Sequence, residues 1–556
     1  MISFFKPSSP DKGHNILEKP PKKKAIDLKN TFKLVKSQVS LYHFAWILTI
    51  FLFQMFIFLV FFITNHGPIS PSPTQQFSPI HVQEKDHHHH QQHHHEGVVI
   101  HQLDPPPPSD DDDGEKQQKV VTRMDFDGDN NNVKKPLDEQ VILHLPPPSD
   151  DDKEQEKCKY GKVYVYDLPP MFNKELVKNC SDLDPWKSKC PAVSNDGFGP
   201  NATATLVGTV PEELTQSWWW TDMFSGEIIY HIRMLHYKCR TTEPESATAL
   251  YVPFYAGLAV SKYLFTNYST KERDFPCERF LEWIKDQPYW KRSNGSDHFL
   301  MLGRMTWDFR RKTDDDWGTK FLSMPLMKNM LKLAVEENRW DPLEISVPYP
   351  TGFHPRSVSE IEKWQEFVRR RNRTNLFTFV GAKRQKVEND FRTLLFDHCF
   401  NESDSCKLVD CVKTRCSDGS PAIFEAFLYS DFCLQPRGDS DTRKSTFDCL
   451  LSGSIPVFFW EGSFKGQYEL FLSSEPDSFS VFIDRKEVRN GTSVRRVLEG
   501  YSQENIKKMR NKIIEFIPRF LYSFSNEGLG NAKDAFDIAI EEVLQRMVKK
   551  PSVTGQ

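Results

Sequence analysis

The sequence has no cysteine before residue 158, no paired C-x2-C spacing and no excess of positive charge. A formal net charge of −4 excludes a general nucleic-acid binder, which needs a basic surface to displace counterions. Without C-x2-C spacing, the eleven cysteines between Cys158 and Cys449 do not read as zinc ligands. In an oxidising compartment they are expected to form disulfides, and the odd count leaves one over. Cys449, within a helical pattern, reads as that unpaired core residue. Apolar residues make up only 38%, charged residues 27% and aromatics 13%, which excludes a multi-span membrane protein and suits a globular domain with polar length attached.

One long hydrophobic run is present. Phe44 to Ile63 spans 20 residues, with Thr49 and Gln54 its only clearly polar members. At a rise of about 1.5 Å per residue it crosses a hydrocarbon core of roughly 30 Å. It is longer than a signal-peptide apolar region and no small-residue cleavage site follows, so it reads as an uncleaved signal-anchor. Nine lysines precede it against three acids, Asp11, Glu18 and Asp27, and the residues after it are almost free of cations. The positive-inside rule then keeps residues 1–43 cytosolic and sends the rest to the lumen, a type II topology. Seven N-x-S/T sequons follow, at Asn179, Asn201, Asn267, Asn294, Asn372, Asn401 and Asn490, and are candidate glycosylation sites.

Residues 64–156 lose periodicity and become rich in Pro, His, Asp and Gln. The tract Pro106 to Asp112 recurs as Pro146 to Asp152. Such composition buries too little apolar area to offset chain entropy, so a disordered luminal stem is expected. The histidines at His87–His90 and His93–His95 read as solvated low-complexity sequence rather than a metal site. Asp125 to Asp129 resembles a calcium loop, but its glycine is misplaced and no closing glutamate follows.

From Cys158 onward, strands alternate with helices. Lys162–Asp167, Ala249–Tyr255 and Asp297–Leu302 read as strands, Trp219–His236 and Cys277–Lys285 as helices. A second set begins with the strand Asn375–Val380, followed by a helix over Glu388–Asp397, a short strand Phe432–Gln435, a helix Thr442–Ser452 and a strand Ile455–Trp460. The polar segment Glu360–Arg373 joins the two sets. This pattern predicts an α/β protein of two Rossmann-like units facing a cleft, over residues 157–359 and 360–547.

The chemistry concentrates between Phe432 and Val457. In open α/β sheets, ligands bind where loops leave the carboxyl ends of strands. The helix opening near Thr442 offers free backbone N–H groups to a phosphate. Arg437, Arg443 and Lys444 add cations at that helix start, Gly438 lies in the loop, and Asp448 is placed to accept hydrogen bonds from a ribose diol. The arrangement suits a nucleoside diphosphate, with a solvated surface loop as the alternative. Asp439-Ser-Asp441 is a D-x-D, but with three cations around it no metal is expected, and no cofactor.

Tyr164–Pro170, Ala249–Leu258, Gly303–Arg311 and the Phe432–Val457 block together resemble the exostosin-like glycosyltransferase family 47, in its plant xyloglucan galactosyltransferase branch. The resemblance covers about Cys158 to Met547. It implies a GT-B fold with an N-terminal acceptor half and a C-terminal half binding a UDP-sugar, and a metal-independent, inverting transfer to a cell-wall polysaccharide in the Golgi. It places Arg437, Arg443 and Asp448 on the donor-binding motif, and Gly381 and Arg384 on the turn after the first C-terminal strand. Many relatives have Glu where Asp448 stands, and Trp460-Glu461-Gly462 stands where the branch usually has His-Pro-Gly. The expected transfer is galactose to xylosyl side chains of xyloglucan. UDP-galacturonate or a pentose donor, on pectin or xylan, and a non-catalytic glycan-binding scaffold are the alternatives, and complexes with other Golgi transferases are compatible with all of them.

Inversion needs a base on the acceptor half. Asp308, after a predicted strand, and Glu227, on a helix, are the candidates, with Asp222 behind them. Trp218, Trp219, Trp220 and Trp307 are candidates for stacking on sugar, though two or more are expected in the core.

Overall fold

The computed structural model describes residues 158–549, apart from 186, 265, 385, 386, 388, 415, 417–419 and 439, together with residues 54 and 55. The basic tail, the stem with its histidine and aspartate tracts, and all of the predicted span but two helical residues lie outside the described residues. No described helix is long and apolar enough to cross a membrane.

Among the described residues, eleven strands form two sheets, and every pair within them is parallel. The first holds β1 (Val163–Val165), β2 (Arg240–Thr241), β3 (Ala249–Tyr251), β4 (His298–Leu302), β5 (Leu331–Ala334) and β6 (Glu344–Ser346), in the order β2-β1-β3-β4-β5-β6. The second holds β7 (Asn375–Gly381), β8 (Cys406–Asp410), β9 (Ser430–Gln435), β10 (Ile455–Phe458) and β11 (Val481–Phe482), in the order β8-β7-β9-β10-β11. Both sheets reverse winding direction in the same place, between their first and third strands. Strands β3, β4, β5 and β10 are buried along their whole length, as parallel strands covered on both faces must be.

The helices that matter below are α1 (Gly226–Leu235), α2 (Ala256–Ser261), α3 (Thr270–Ile284), α4 (Val358–Arg370), α5 (Phe391–Asn401), α6 (Pro421–Leu428), α7 (Lys444–Leu451), α8 (Gln503–Phe520) and α9 (Ala535–Lys549). Their starts are written locally. Ser269 and Glu272 form a capping box on α3, and Ser357, Asp390 and Ser502 cap α4, α5 and α8 with side-chain oxygens. The helix predicted over Trp219–His236 begins only at Gly226. Trp219 instead donates its backbone N–H to Gly352 O (2.8 Å) and stacks on Phe524 (5.1 Å).

One hydrophobic cluster runs through both sheets, from Val163 to Met547. Trp218 ties them together, packed on Phe353 (5.2 Å), Trp364 of α4 (5.1 Å) and Phe424 of α6 (4.7 Å). Trp218 and Trp219 are therefore core residues. Sequence position and packing part company at the C-terminus. Helix α9 returns to the first sheet, where Phe536 meets Tyr230 (5.3 Å) and Asp534 pairs with the buried Arg233 (3.3 Å).

Five disulfides form: Cys158–Cys239, Cys180–Cys190, Cys399–Cys406, Cys411–Cys416 and Cys433–Cys449. Cys449 is buried as expected, but it is not the unpaired cysteine. Helix α7 folds back on β9 and brings Cys449 to a Cα separation of 6.4 Å from Cys433, leaving buried Cys277 of α3 free. The Cys158–Cys239 bridge spans 81 residues and ties the entry into β1 to the segment before β2. Closing a loop of that length is worth about 4 kcal/mol in the chain-entropy description. The double variant Cys158→Ser/Cys239→Ser is expected to lose stability on that scale in denaturant unfolding. An unchanged midpoint would show that β1 is held without the bridge.

Candidate active site

The carboxyl ends of the two sheets' strands point at each other. Past β5, Glu336 reaches Ser440 and Thr442 in the loop after β9, and Glu337 O accepts from Gln467 Nε2 (2.8 Å) beyond β10. At the end of β6, Ser346 Oγ accepts from the Tyr468 N–H (2.8 Å). Loops that bind ligands in such sheets leave the carboxyl ends at the reversal of strand order. In the second sheet those are the loops after β7 and after β9, which hold the residues predicted for the donor.

Gly381 ends β7. Three residues on, Arg384 donates its backbone N–H to Thr393 Oγ1 of α5 (3.1 Å), which fixes the turn against that helix. In the β9 loop, a Cβ on Gly438 would lie 3.1 Å from Thr442 O and 3.2 Å from Arg443 Cγ, so the loop folds tightly on itself. Arg443 stands at the N-cap of α7 and reaches back across the sheet, donating Nη2–H to Val380 O (3.4 Å). Its Nη1 is buried without a hydrogen-bond partner. Burial pushes its pKa down to about 9, and repulsion from Arg392 and Arg384 adds to the shift. Arg384 and Arg392 thus lie near enough to Arg443 to repel it, a setting that favours an anion at the reversal point. Arg392, in the first turn of α5, was missed from sequence. Its only signal is that it opens the helix following the Gly381 turn.

The other predicted cations of this loop have acidic partners. Lys444 Nζ donates to both carboxylate oxygens of Asp448 (2.8 and 2.9 Å), so the cation expected at a phosphate and the acid expected at a ribose neutralise each other along one face of α7. Arg437 pairs with Asp441 (3.2 Å) and lies over the Trp460 ring (5.5 Å). Trp460 Nε1 donates to the same carboxylate (3.1 Å), and Arg485 also covers the ring (4.5 Å). A Cβ on Gly462 would come within 2.5 Å of Trp460 Nε1, so glycine is required for this approach. Asp439 lies outside the described residues, and no group of three or more metal-ligating side chains occurs among those described.

On the first half, both predicted bases are sealed from solvent. Glu227 is 1% exposed; Oε1 accepts from the N–H groups of Gly257 (2.6 Å) and Gly303 (3.1 Å), and Oε2 from Leu258 (3.2 Å). Its carboxylate caps the start of α2 and ties it to the end of β4. Asp308 is fully buried: Oδ2 accepts from Arg304 Nε (2.6 Å), Oδ1 has no partner, and burial raises its pKa against the pull of Arg304. Asp222 is held by the Phe224 N–H (2.9 Å) and Lys189 (3.6 Å). Trp307 stacks on Trp317 (4.6 Å). A carboxylate that stands between the halves beside the donor loop is Glu336, which sequence reasoning passed over because β5 was not recognised. All seven sequon asparagines are exposed.

Residues 157–498 match the Exostosin GT47 domain, more than half of the chain. The chain belongs to the exostosin GT47 family. It is a glycosyltransferase, and the relatives that follow are from Arabidopsis thaliana. It is 55% identical to xyloglucan galactosyltransferase XLT2 over 70% of this chain and 76% of that one. It is 37% identical to xyloglucan galactosyltransferase MUR3 over 71% and 64%, and 36% identical to xyloglucan-specific galacturonosyltransferase 1 over 71% and 59%. Among solved structures, the glycosyltransferase VinC in complex with DTDP overlaps 70% of this chain and 99% of its own at 9% identity, but with a TM-score of 0.27. A superposition that loose has no bearing on the fold.

Two outcomes follow for this GT47 chain. Losing a charge-assisted contact costs about 1.5–3 kcal/mol, so Arg443→Ala is expected to weaken UDP binding about 10- to 100-fold by calorimetric titration; unchanged affinity would remove Arg443 from the donor site. Burial raises the Glu227 carboxyl from an ordinary 4.5 to about 7. The folded state therefore holds the proton more tightly than the unfolded chain does. This group's contribution to stability is complete below about pH 4.5 and is lost as pH rises through about 7. Glu227→Gln is expected to remove that part of the fall in Tm across the window, and parallel wild-type and variant profiles would refute the assignment.

Proposed function

We propose that this glycosyltransferase moves galactose from UDP-galactose to the xylosyl side chains of xyloglucan, inverting the anomeric carbon without a bound metal. The observation that carries the donor half of this reading is Arg443. Its guanidinium spans from the head of α7 to the end of β7, one nitrogen unpartnered, and Arg384 and Arg392 are near enough to repel it. A diphosphate leaving group is the anion that such a cluster fits, and fixed cations stabilise its developing charge without reorganisation. The relatives named as xyloglucan galactosyltransferases, one at 55% identity, support the acceptor and the sugar.

The two opposed parallel sheets support a GT-B arrangement, with residues 157–359 and the returning helix α9 in the acceptor half and the rest of 360–547 in the donor half. Five disulfides and seven exposed sequon asparagines support a luminal domain. On this reading the apolar run at Phe44–Ile63 anchors a type II glycoprotein in the Golgi membrane.

A second donor has an observation in its favour. Arg485 and Arg437, the latter paired with Asp441, both lie over Trp460, and one relative is named a galacturonosyltransferase. The full-length chain, incubated with xyloglucan and each of UDP-galactose, UDP-galacturonate and a UDP-pentose, separates these readings. Galactose on xylosyl residues, persisting in EDTA, is the expected product. Uronate transfer alone would replace the donor, and glycan binding without turnover would sink the enzyme reading.

A further inference from the structure

Asp308 and Glu227 are enclosed in the first half, whereas Glu336 of that half meets the donor loop directly. Glu336 lies two residues past β5 and is 6% exposed. Ser440 Oγ–H, the Thr442 backbone N–H and Thr442 Oγ1–H all donate to its Oε2, each at 2.7 Å. No hydrogen bond from a described residue reaches Oε1. One oxygen is saturated and fixes the group; the other keeps its acceptor capacity. Thr442 directly precedes Arg443, so this carboxylate is anchored one residue from the cation assigned to the diphosphate.

We propose that Glu336 is the general base of the transfer, a role that rests on the sugar-nucleotide reading above. Oε1 takes the proton of the acceptor hydroxyl while that oxygen bonds to the anomeric carbon of the donor. The bond from that carbon to the diphosphate oxygen breaks, and its electron pair leaves with UDP, whose charge is met by Arg443, Arg384 and Arg392. Glu336 is left protonated and returns the proton to solvent after the products leave.

The charged and titratable groups around Glu336 suit the task. Asp441 faces it from the donor loop, Glu337 follows it in the chain, and Tyr349 lies beyond Thr442 (3.3 Å), with Tyr468 and the Arg304–Asp308 pair behind. Burial and Asp441 push its carboxyl above the ordinary range, against the Ser440 and Thr442 hydrogen bonds. Activity is therefore expected to fall as pH drops through a value higher than that of a free glutamate.

The test compares the full-length wild type with Glu336→Gln, which keeps the size and an acceptor oxygen but cannot take a proton. A general base contributes about 10²- to 10⁴-fold. We expect kcat to fall at least about 100-fold, with donor KM and UDP affinity within about threefold and the acid limb of the pH profile gone. Retained kcat, or UDP affinity weakened more than about tenfold, would overturn the base and leave a loop latch. If the Gln variant unfolds, Glu336→Asp decides: it should keep UDP affinity and the acid limb while losing about tenfold or more in kcat, and wild-type kcat would refute the proposal. Failure of the wild type on xyloglucan counts against the acceptor reading, whereas UDP affinity of the Gln variant still judges Glu336.

Discussion

A buried carboxylate joins the two sheets where their strands end. Glu336 follows β5 of the first sheet, yet the hydrogen bonds to its side chain come from the loop after β9 in the second. Removing a carboxylate from water is costly, and three donors on one oxygen offset that cost only if Ser440 and Thr442 stay where they are. The position of the donor loop, and with it Arg443, is therefore coupled to the other half. Trp218, between Phe353, Trp364 and Phe424, sets the same relation from the apolar side.

Charge is distributed accordingly. Away from the reversal point, buried cations have nearby acids: Arg233 with Asp534, Lys332 with Asp341, Arg311 with Asp274, Arg304 with Asp308. At the reversal point, the neighbours that perturb Arg443 are cations. A fold can carry such a cluster at a modest cost in stability, and a bound anion would reverse that cost. Glu227 shows the opposite use of a buried charge. With three backbone N–H groups aimed at it, it organises the turn after β3 and the end of β4 rather than meeting a ligand.

Trp460 illustrates how a site residue can change its work. An indole at the end of a sheet strand is a natural sugar platform, but here guanidinium groups lie against the ring and Asp441 holds its N–H. It acts on Arg437 and Arg485, and their placement follows from the ring together with the glycine at 462 that lets it in.

Much of the frame was legible in the sequence because parallel strands buried on both faces are short apolar runs: β1, β3, β4, β7, β9 and β10 all stand out. β5 did not, because Lys332 sits inside it and reads as polar; only the fold supplies Asp341 to pair with that lysine. β8 was obscured likewise, with Lys407 exposed and Cys406 taken up in a disulfide. The sequence by itself determined the two-unit α/β plan, the family and the loop that carries Arg443, since these depend on local pattern and on residues close in the chain. Tertiary structure alone decided which charges are spent on one another and which remain. It enclosed Asp308 and Glu227, joined Cys433 to Cys449, and brought Glu336 to Thr442 across 106 residues. Burial and long-range pairing set the state of an ionisable group, and neither is written in its neighbours along the chain.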